Sequence, residues 1–391
     1  MGEWGFRSRP FPLSPTLPFV AEHQMTSIDD NDIAVLLARL VEIPSVGPEE
    51  HEILVFLEGE LRRLGFAPER IPVAERRFDL HCRIGSGSPA LCLCAHADTV
   101  PPSGNSVPKA RIEGGVMHGL GSADDKASIT AMISAMTAVR DSEVKGTLDL
   151  LISVDEEGLG LGVRTAIERG YRCDMAIIGE PTSLEIVPTH CGIIFLSLVT
   201  HGKATHGSMP MEGVNAIDLM FEVVSGLRAL IGEYPAHPLL GPTSLNLGII
   251  RAGDRANRVP DRCEASVDIR IVPPMRCEAV LDRIEGYFDD WRGKAEYAVA
   301  KKVEPLDTPH DSPLVHALGS AGEEVLGRRP GIASWRGWTE AESFRTALGI
   351  DAVVFGAGSL KAAHSSDESV ALDEVISAAR VYAECALRIL R

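Results

Sequence analysis

No apolar run in this chain approaches the roughly 20 residues a membrane-spanning helix needs. The opening stretch, "MGEWGFRSRPFPLSPTLPFVAEHQ", has four prolines and no continuous apolar core, so it makes a poor signal peptide. Residues 1–24 are expected to be a disordered or non-native extension. Positive charge is scarce, with 38 Lys and Arg against 55 Asp and Glu and a formal charge of -17. That balance argues against nucleic acid or an anionic membrane as the main partner. There is no CxxC pair, and eight cysteines in 391 residues are too few for a disulfide scaffold. A reducing, cytoplasmic setting is expected. The glycine-rich stretches "IGSGSP" and "HGLGSAD" both miss the GxGxxG spacing, which counts against a nucleotide-binding oxidoreductase.

What remains is a soluble globular profile, 45% hydrophobic and 24% charged, long enough for two or three domains. After two helices over 28–64, strand-like and helix-like stretches alternate. "ALCLCAHA", "TLDLLISV" and "MAIIG" read as strands, and "DKASITAMISAMTAVRDS" and "GVRTAIERG" as helices. This alternation predicts an α/β domain with a mainly parallel sheet covered on both faces. From 193 to 303 the order becomes strand–helix–strand–strand–helix–strand, the pattern of a small ferredoxin-like sandwich. The α/β texture then returns. The expected organisation is one catalytic domain, 25–192 plus 304–391, with a second domain inserted at 193–303.

Ligands of open α/β sheets gather at the carboxyl ends of strands. "ALCLCA" runs into His96 and Asp98, "TLDLLISV" into Asp155, Glu156 and Glu157, and "MAIIG" into Glu180. "DAVVFGAG" leads by a loop to His364, and Asp124-Asp125 sits where "GLGSADDK" meets a helix. His96, Asp124, Glu157, Glu180 and His364 make a thiolate-free set suited to Zn²⁺, with Co²⁺ or Mn²⁺ as alternatives. Five donors exceed one tetrahedral catalytic ion and suit two ions bridged by a carboxylate. In the Glu156-Glu157 doublet, one carboxylate can ligate while its neighbour takes a proton from water. Cys92 and Cys94 share a strand face with His96, but they are expected only to fill core.

"HADTVP", "GLGSADDK", "DEEG", "GEPTS" and "AHSSDE" occur in an order and spacing that resemble the M20 family of metallopeptidases and deacylases. "GVNAIDLM", "LNLGIIRAGDRANRVP" and "DIRIVPPM" look most like its acetylornithine deacetylase and succinyl-diaminopimelate desuccinylase branch. The resemblance implies a zinc-hydrolase domain carrying an inserted lid through which the protein dimerises. It assigns His96 and Glu180 to one metal, Glu157 and His364 to the other, Asp124 as the bridge and Glu156 as general base. It implies that Asp98 orients His96, that the Asp124–Asp125 peptide is cis, and that His206 reaches a partner subunit's active site. Asn257 and Arg270 match lid residues that hold the substrate, and Thr339 and Gly358 lie in stretches lining the pocket. The implied activity is hydrolysis of a small N-acyl amino acid; dipeptidase or aminopeptidase-like action on short peptides is the alternative. Ala127, His118 and the tryptophan-rich "WRGWTEAE" depart from the family pattern, which bears on specificity rather than chemistry.

Overall fold

The computed structural model describes residues 28–391; the expectation for residues 1–24 lies outside the described residues. Four parallel strands form the heart of the central sheet, in the order Thr147–Ser153, Ala90–His96, Met175–Ile178 and Asp351–Val354. Antiparallel strands extend it on both sides. Arg77–Gly85 and Glu69–Ala74 lie beyond Thr147–Ser153. Ile186–His190 and Leu306–Asp307 lie beyond Asp351–Val354, and Ile332–Trp335 pairs parallel with Ile186–His190.

Both faces are covered, as a parallel sheet requires. Helices Asp30–Glu42, His51–Arg63, Lys126–Val139, Pro313–Leu326 and Leu372–Leu390 share one core with the sheet. Helices Leu161–Glu168 and Ala341–Leu348 share the other. Strand Ala90–His96 divides between them by simple alternation. Leu91, Leu93 and Ala95 face the first core, and Cys92 and Cys94 face the second. All eight cysteines are buried and free.

Helix Lys126–Val139 ("KASITAMISAMTAV") is buried nearly all round, which its small side chains permit. Three of its four hydroxyls are satisfied within the helix. Thr130, Ser134 and Thr137 donate to the carbonyls of Lys126, Thr130 and Ile133 at 2.8, 2.9 and 2.8 Å. The first residues of this helix sit at the sheet's carboxyl edge.

A second, four-stranded antiparallel sheet runs in the order Ser244–Ala252, Arg262–Ile271, Gly192–His201, Ala295–Val303. Helices Ala216–Gly232 and Cys277–Asp289 pack on it around a separate core, giving the ferredoxin-like arrangement. The chain leaves the central sheet after Ile186–His190 and rejoins it at Leu306–Asp307, and these two strands pair with each other.

Two features are absent from the sequence expectation. The hairpin Glu69–Ala74/Arg77–Gly85 turns at Glu75-Arg76, with Arg76 at φ 60° and no Asn-Gly signal to mark it. A small sheet also joins Arg111–Glu113, Val116–His118 and Ser369–Ala371. It brings the segment after His364 against the loop that precedes Asp124. No helix of the described residues is long and apolar enough to cross a membrane.

Candidate metal centre

His96 ends its strand, and Glu156 and Glu157 follow the neighbouring strand Thr147–Ser153. Glu180 follows Met175–Ile178, His364 lies in the loop after Asp351–Val354, and Asp124 precedes helix Lys126–Val139. The fold brings all six to one edge of the sheet. The donor atoms of His96, Glu156 and Glu180 lie within 4.8 Å of one another, as do those of Asp124, Glu157 and His364. Asp124 joins the two groups. Its Oδ1 is 3.1 Å from His96 Nε2, and its Oδ2 is 3.4 Å from His364 Nε2. His364 Nε2 also lies 2.6 Å from Glu157 Oε1.

The electrostatics are those of a cluster that needs cations. Burial lifts the Glu156 and Glu180 carboxyls well above their ordinary pKa, and the neighbouring carboxylates add to the shift. Burial also pushes Asp124 up, but His364 and His96 outweigh it and hold its pKa low. The hydrogen bonds to Asp124 and Glu157 raise His364 to about 10. Among the described residues no Lys or Arg forms an ion pair with Asp124, Glu156, Glu157 or Glu180. Two divalent cations match the charge of four carboxylates, and the imidazole and carboxylate donors are those such ions take. The residues fit the group.

The peptide between Asp124 and Asp125 is cis. Asp98 does more than the sequence suggested. His96 Nδ1 lies 3.0 Å from the Asp98 backbone carbonyl and 3.6 Å from its carboxylate. The carboxylate instead accepts from the backbone N–H groups of Glu156, at 3.2 Å, and Glu157, at 3.0 Å. One residue thus aligns both the histidine and the acidic doublet. Asp155, the other acid of "DEE", has a structural task. It pairs with Arg77 at 2.8 Å and accepts from Leu159 N at 3.0 Å.

Sequence reasoning missed Glu368 as a member of the site's framework. Its buried carboxylate accepts from the backbone N–H groups of Gly121, Ala123 and Asp124 at 2.8, 3.0 and 3.0 Å. The loop that aims Asp124 therefore hangs on a side chain 244 residues away. Its place inside "AHSSDE" was the available signal. Glu368→Ala should weaken binding of the first Zn²⁺ by about 10–100-fold, since partners behind a ligand commonly contribute that much. Glu368→Gln, which keeps one acceptor oxygen, should recover part of the loss. Calorimetric titration of metal-free protein checks this, and an unchanged affinity in Glu368→Ala would remove Glu368 from the site. Glu340 is a second buried carboxylate behind the cluster. It accepts from Ser153 Oγ at 2.5 Å, and burial raises it to about 7.

The remaining expected site residues fall in two places. Gly358 has φ 84°, and a Cβ there would meet Ala123 at 3.1 Å, directly beside Asp124. Thr339 is fully buried, and its hydroxyl accepts from Ala341 N at 3.3 Å at the start of a helix. His206 and Asn257 come together on the lid, where Gly207 N donates to Asn257 O at 2.7 Å. Among the described residues no hydrogen bond ties either of them to the carboxylate cluster. Arg270 grips Asp268 through two nitrogens and reaches the Arg336 carbonyl at 3.4 Å, where the lid meets the central sheet's domain.

Residues 92–388 match peptidase family M20/M25/M40. An acetylornithine deacetylase of Proteus mirabilis (strain HI4320) is 34% identical over 358 residues, covering 86% of this chain and 91% of that protein. A tripeptidase of Staphylococcus aureus superposes with a TM-score of 0.81 at 22% identity, covering 93% of this chain and 99% of that one. A dinuclear metal-binding M20 peptidase of Bacillus subtilis superposes at 0.70 and 17% identity, covering 92% and 98%. The oxidoreductase reading is thereby set aside. This chain belongs to peptidase family M20/M25/M40 and is a hydrolase of that family.

Proposed function

We propose that this hydrolase cleaves the amide bond of a small N-acyl amino acid, using two divalent cations, Zn²⁺ first and Co²⁺ or Mn²⁺ as alternatives. One observation carries the reading: Asp124 presents one oxygen to His96 and the other to His364. The deacetylase named above, alike over most of both chains, supports the acyl amino acid as substrate. His96 and Glu180 would hold one ion, Glu157 and His364 the other, and Asp124 both. The ions would supply Lewis acidity and lower the pKa of water.

The protein's own groups do the rest. Glu156 is buried beside the ligands and, among the described residues, forms no ion pair with Lys or Arg, so its carboxylate can accept a proton from the attacking water. It then returns that proton to the nitrogen of the leaving amine. Asp98 keeps the Glu156-Glu157 backbone in place through its two hydrogen bonds, so the base approaches from a fixed direction. Arg270 and Asn257 on the lid would hold the substrate's carboxylate and carbonyl, and Thr339 and Gly358 would line the pocket.

We take residues 193–303 as the lid of a catalytic unit formed by 25–192 and 304–391. A homodimer through the lid fits its open edge. Among the described residues strand Ser244–Ala252 lies at the sheet's edge with one side unpaired, and it carries exposed Ile249 and Ile250. In that arrangement His206 serves the second copy's active site, where its imidazole stabilises the developing oxyanion. Eight free thiols support a reducing cytoplasm as the setting.

The test is a panel of N-acetyl, N-succinyl and N-formyl amino acids and dipeptides, run with Zn²⁺, Co²⁺ or Mn²⁺. Turnover of the acyl amino acids supports the reading. Turnover confined to the peptides would replace it with the peptidase alternative.

A further inference from the structure

Lys301 stands on the last lid strand, Ala295–Val303, at a break in register. Val299 pairs with Leu196 and Lys301 with Phe195, leaving an extra residue between them. Such a bulge re-aims the side chain that follows it. Here the Lys301 Nζ donates to the Gly158 carbonyl at 2.9 Å. Gly158 directly follows Glu156-Glu157. The same ammonium sits 4.6 Å from the ring centroid of Trp338. Trp338 in turn packs on Gly160, where a Cβ would come within 2.5 Å of the ring. So the lid places a cation on the loop that follows the base and a metal ligand.

That cation is held but not neutralised. A carbonyl and an aromatic face satisfy an ammonium without cancelling its charge. Among the described residues Lys301 forms no ion pair, although the charges of Glu156, Arg164, Asp155 and Arg270 bear on it. Asp155 is already paired with Arg77 at 2.8 Å and so does not cancel the Lys301 charge. Lys301 is half-buried, so solvent screens its charge only in part.

We propose that Lys301 is a specificity-determining residue that selects substrates bearing a second carboxylate, on the amino acid side chain or on the acyl chain, and disfavours a cationic side chain such as that of an N-acylornithine. This rests on the reading of the chain as an N-acyl amino acid hydrolase, and it narrows that reading. A pocket discriminates by repulsion as well as attraction, and one uncompensated charge does both.

The test measures kcat/KM of the metal-loaded enzyme for N-acetylglutamate, an N-succinyl amino acid, N-acetylmethionine and N-acetylornithine. It compares the wild type with Lys301→Met and Lys301→Glu. The wild type should favour one of the dicarboxylates over N-acetylornithine by about tenfold or more, the range of a charge-assisted contact. Whichever dicarboxylate is favoured identifies where the second carboxylate sits. Lys301→Met should collapse that ratio, and Lys301→Glu should reverse it. Each rate is referred to that variant's own rate on N-acetylmethionine, and an unchanged melting temperature separates a charge effect from a folding defect. A wild-type preference for N-acetylornithine, or a ratio that Lys301→Met leaves unchanged, overturns the proposal while the acyl hydrolase reading stands. Turnover of none of these substrates overturns both.

Discussion

Glu156→Gln is expected to yield a folded, metal-loaded protein whose kcat is lower by about 10²–10⁴-fold, the usual contribution of a positioned general base. The amide is the same size as the carboxylate and leaves His96, Asp124, Glu157, Glu180 and His364 in place. What it lacks is a site that can accept and return a proton. Because the Glu156 carboxylate lies in the same donor group as the His96 imidazole and the Glu180 carboxylate, metal content has to be measured alongside kcat. Loss of turnover with metal retained assigns the base. Loss of both would make Glu156 a ligand, and near-wild-type turnover would remove it from the chemistry.

The second large effect is expected at Asp124. Every other candidate ligand belongs to one group of donors, whereas Asp124 contacts the imidazoles of both. Asp124→Ala should therefore release both ions, weakening metal binding by more than about 10²-fold, beyond what loss of a supporting partner produces. His364→Ala should spare the ion held by His96 and Glu180. Metal analysis after dialysis separates the two variants. Equal retention by both would deny Asp124 its bridging position. The fold should survive Asp124→Ala, because Glu368 holds the surrounding loop through backbone N–H groups the substitution leaves intact.

Much of this site could be read along the chain because its donors follow recognisable strands. His96, Glu156, Glu157 and Glu180 each come within a few residues of an apolar run, and the fold puts those runs side by side. The helices at 30–42 and 126–139 and the Cys92/Cys94 face were legible for the same reason, since local pattern and tertiary role agree. What escaped was long-range. Glu368 acts on a loop 244 to 247 residues earlier, and no spacing rule reports such a pairing. The hairpin at 69–85 was hidden because Arg76 makes a turn usually left to glycine or asparagine. Asp98 was assigned to His96 alone, because the backbone N–H groups of residues 156 and 157 leave no mark in the sequence. The bulge that turns Lys301 toward Gly158 is likewise visible only in the register of two strands.

The central claim is that two cations held by this cluster are required for hydrolysis. The most direct measurement strips the protein of metal and follows N-acyl amino acid hydrolysis as Zn²⁺, Co²⁺ or Mn²⁺ is returned. No turnover is expected in the metal-free protein, and activity should plateau near about two equivalents per chain, as a bridged two-ion site requires. Full activity without metal would contradict it.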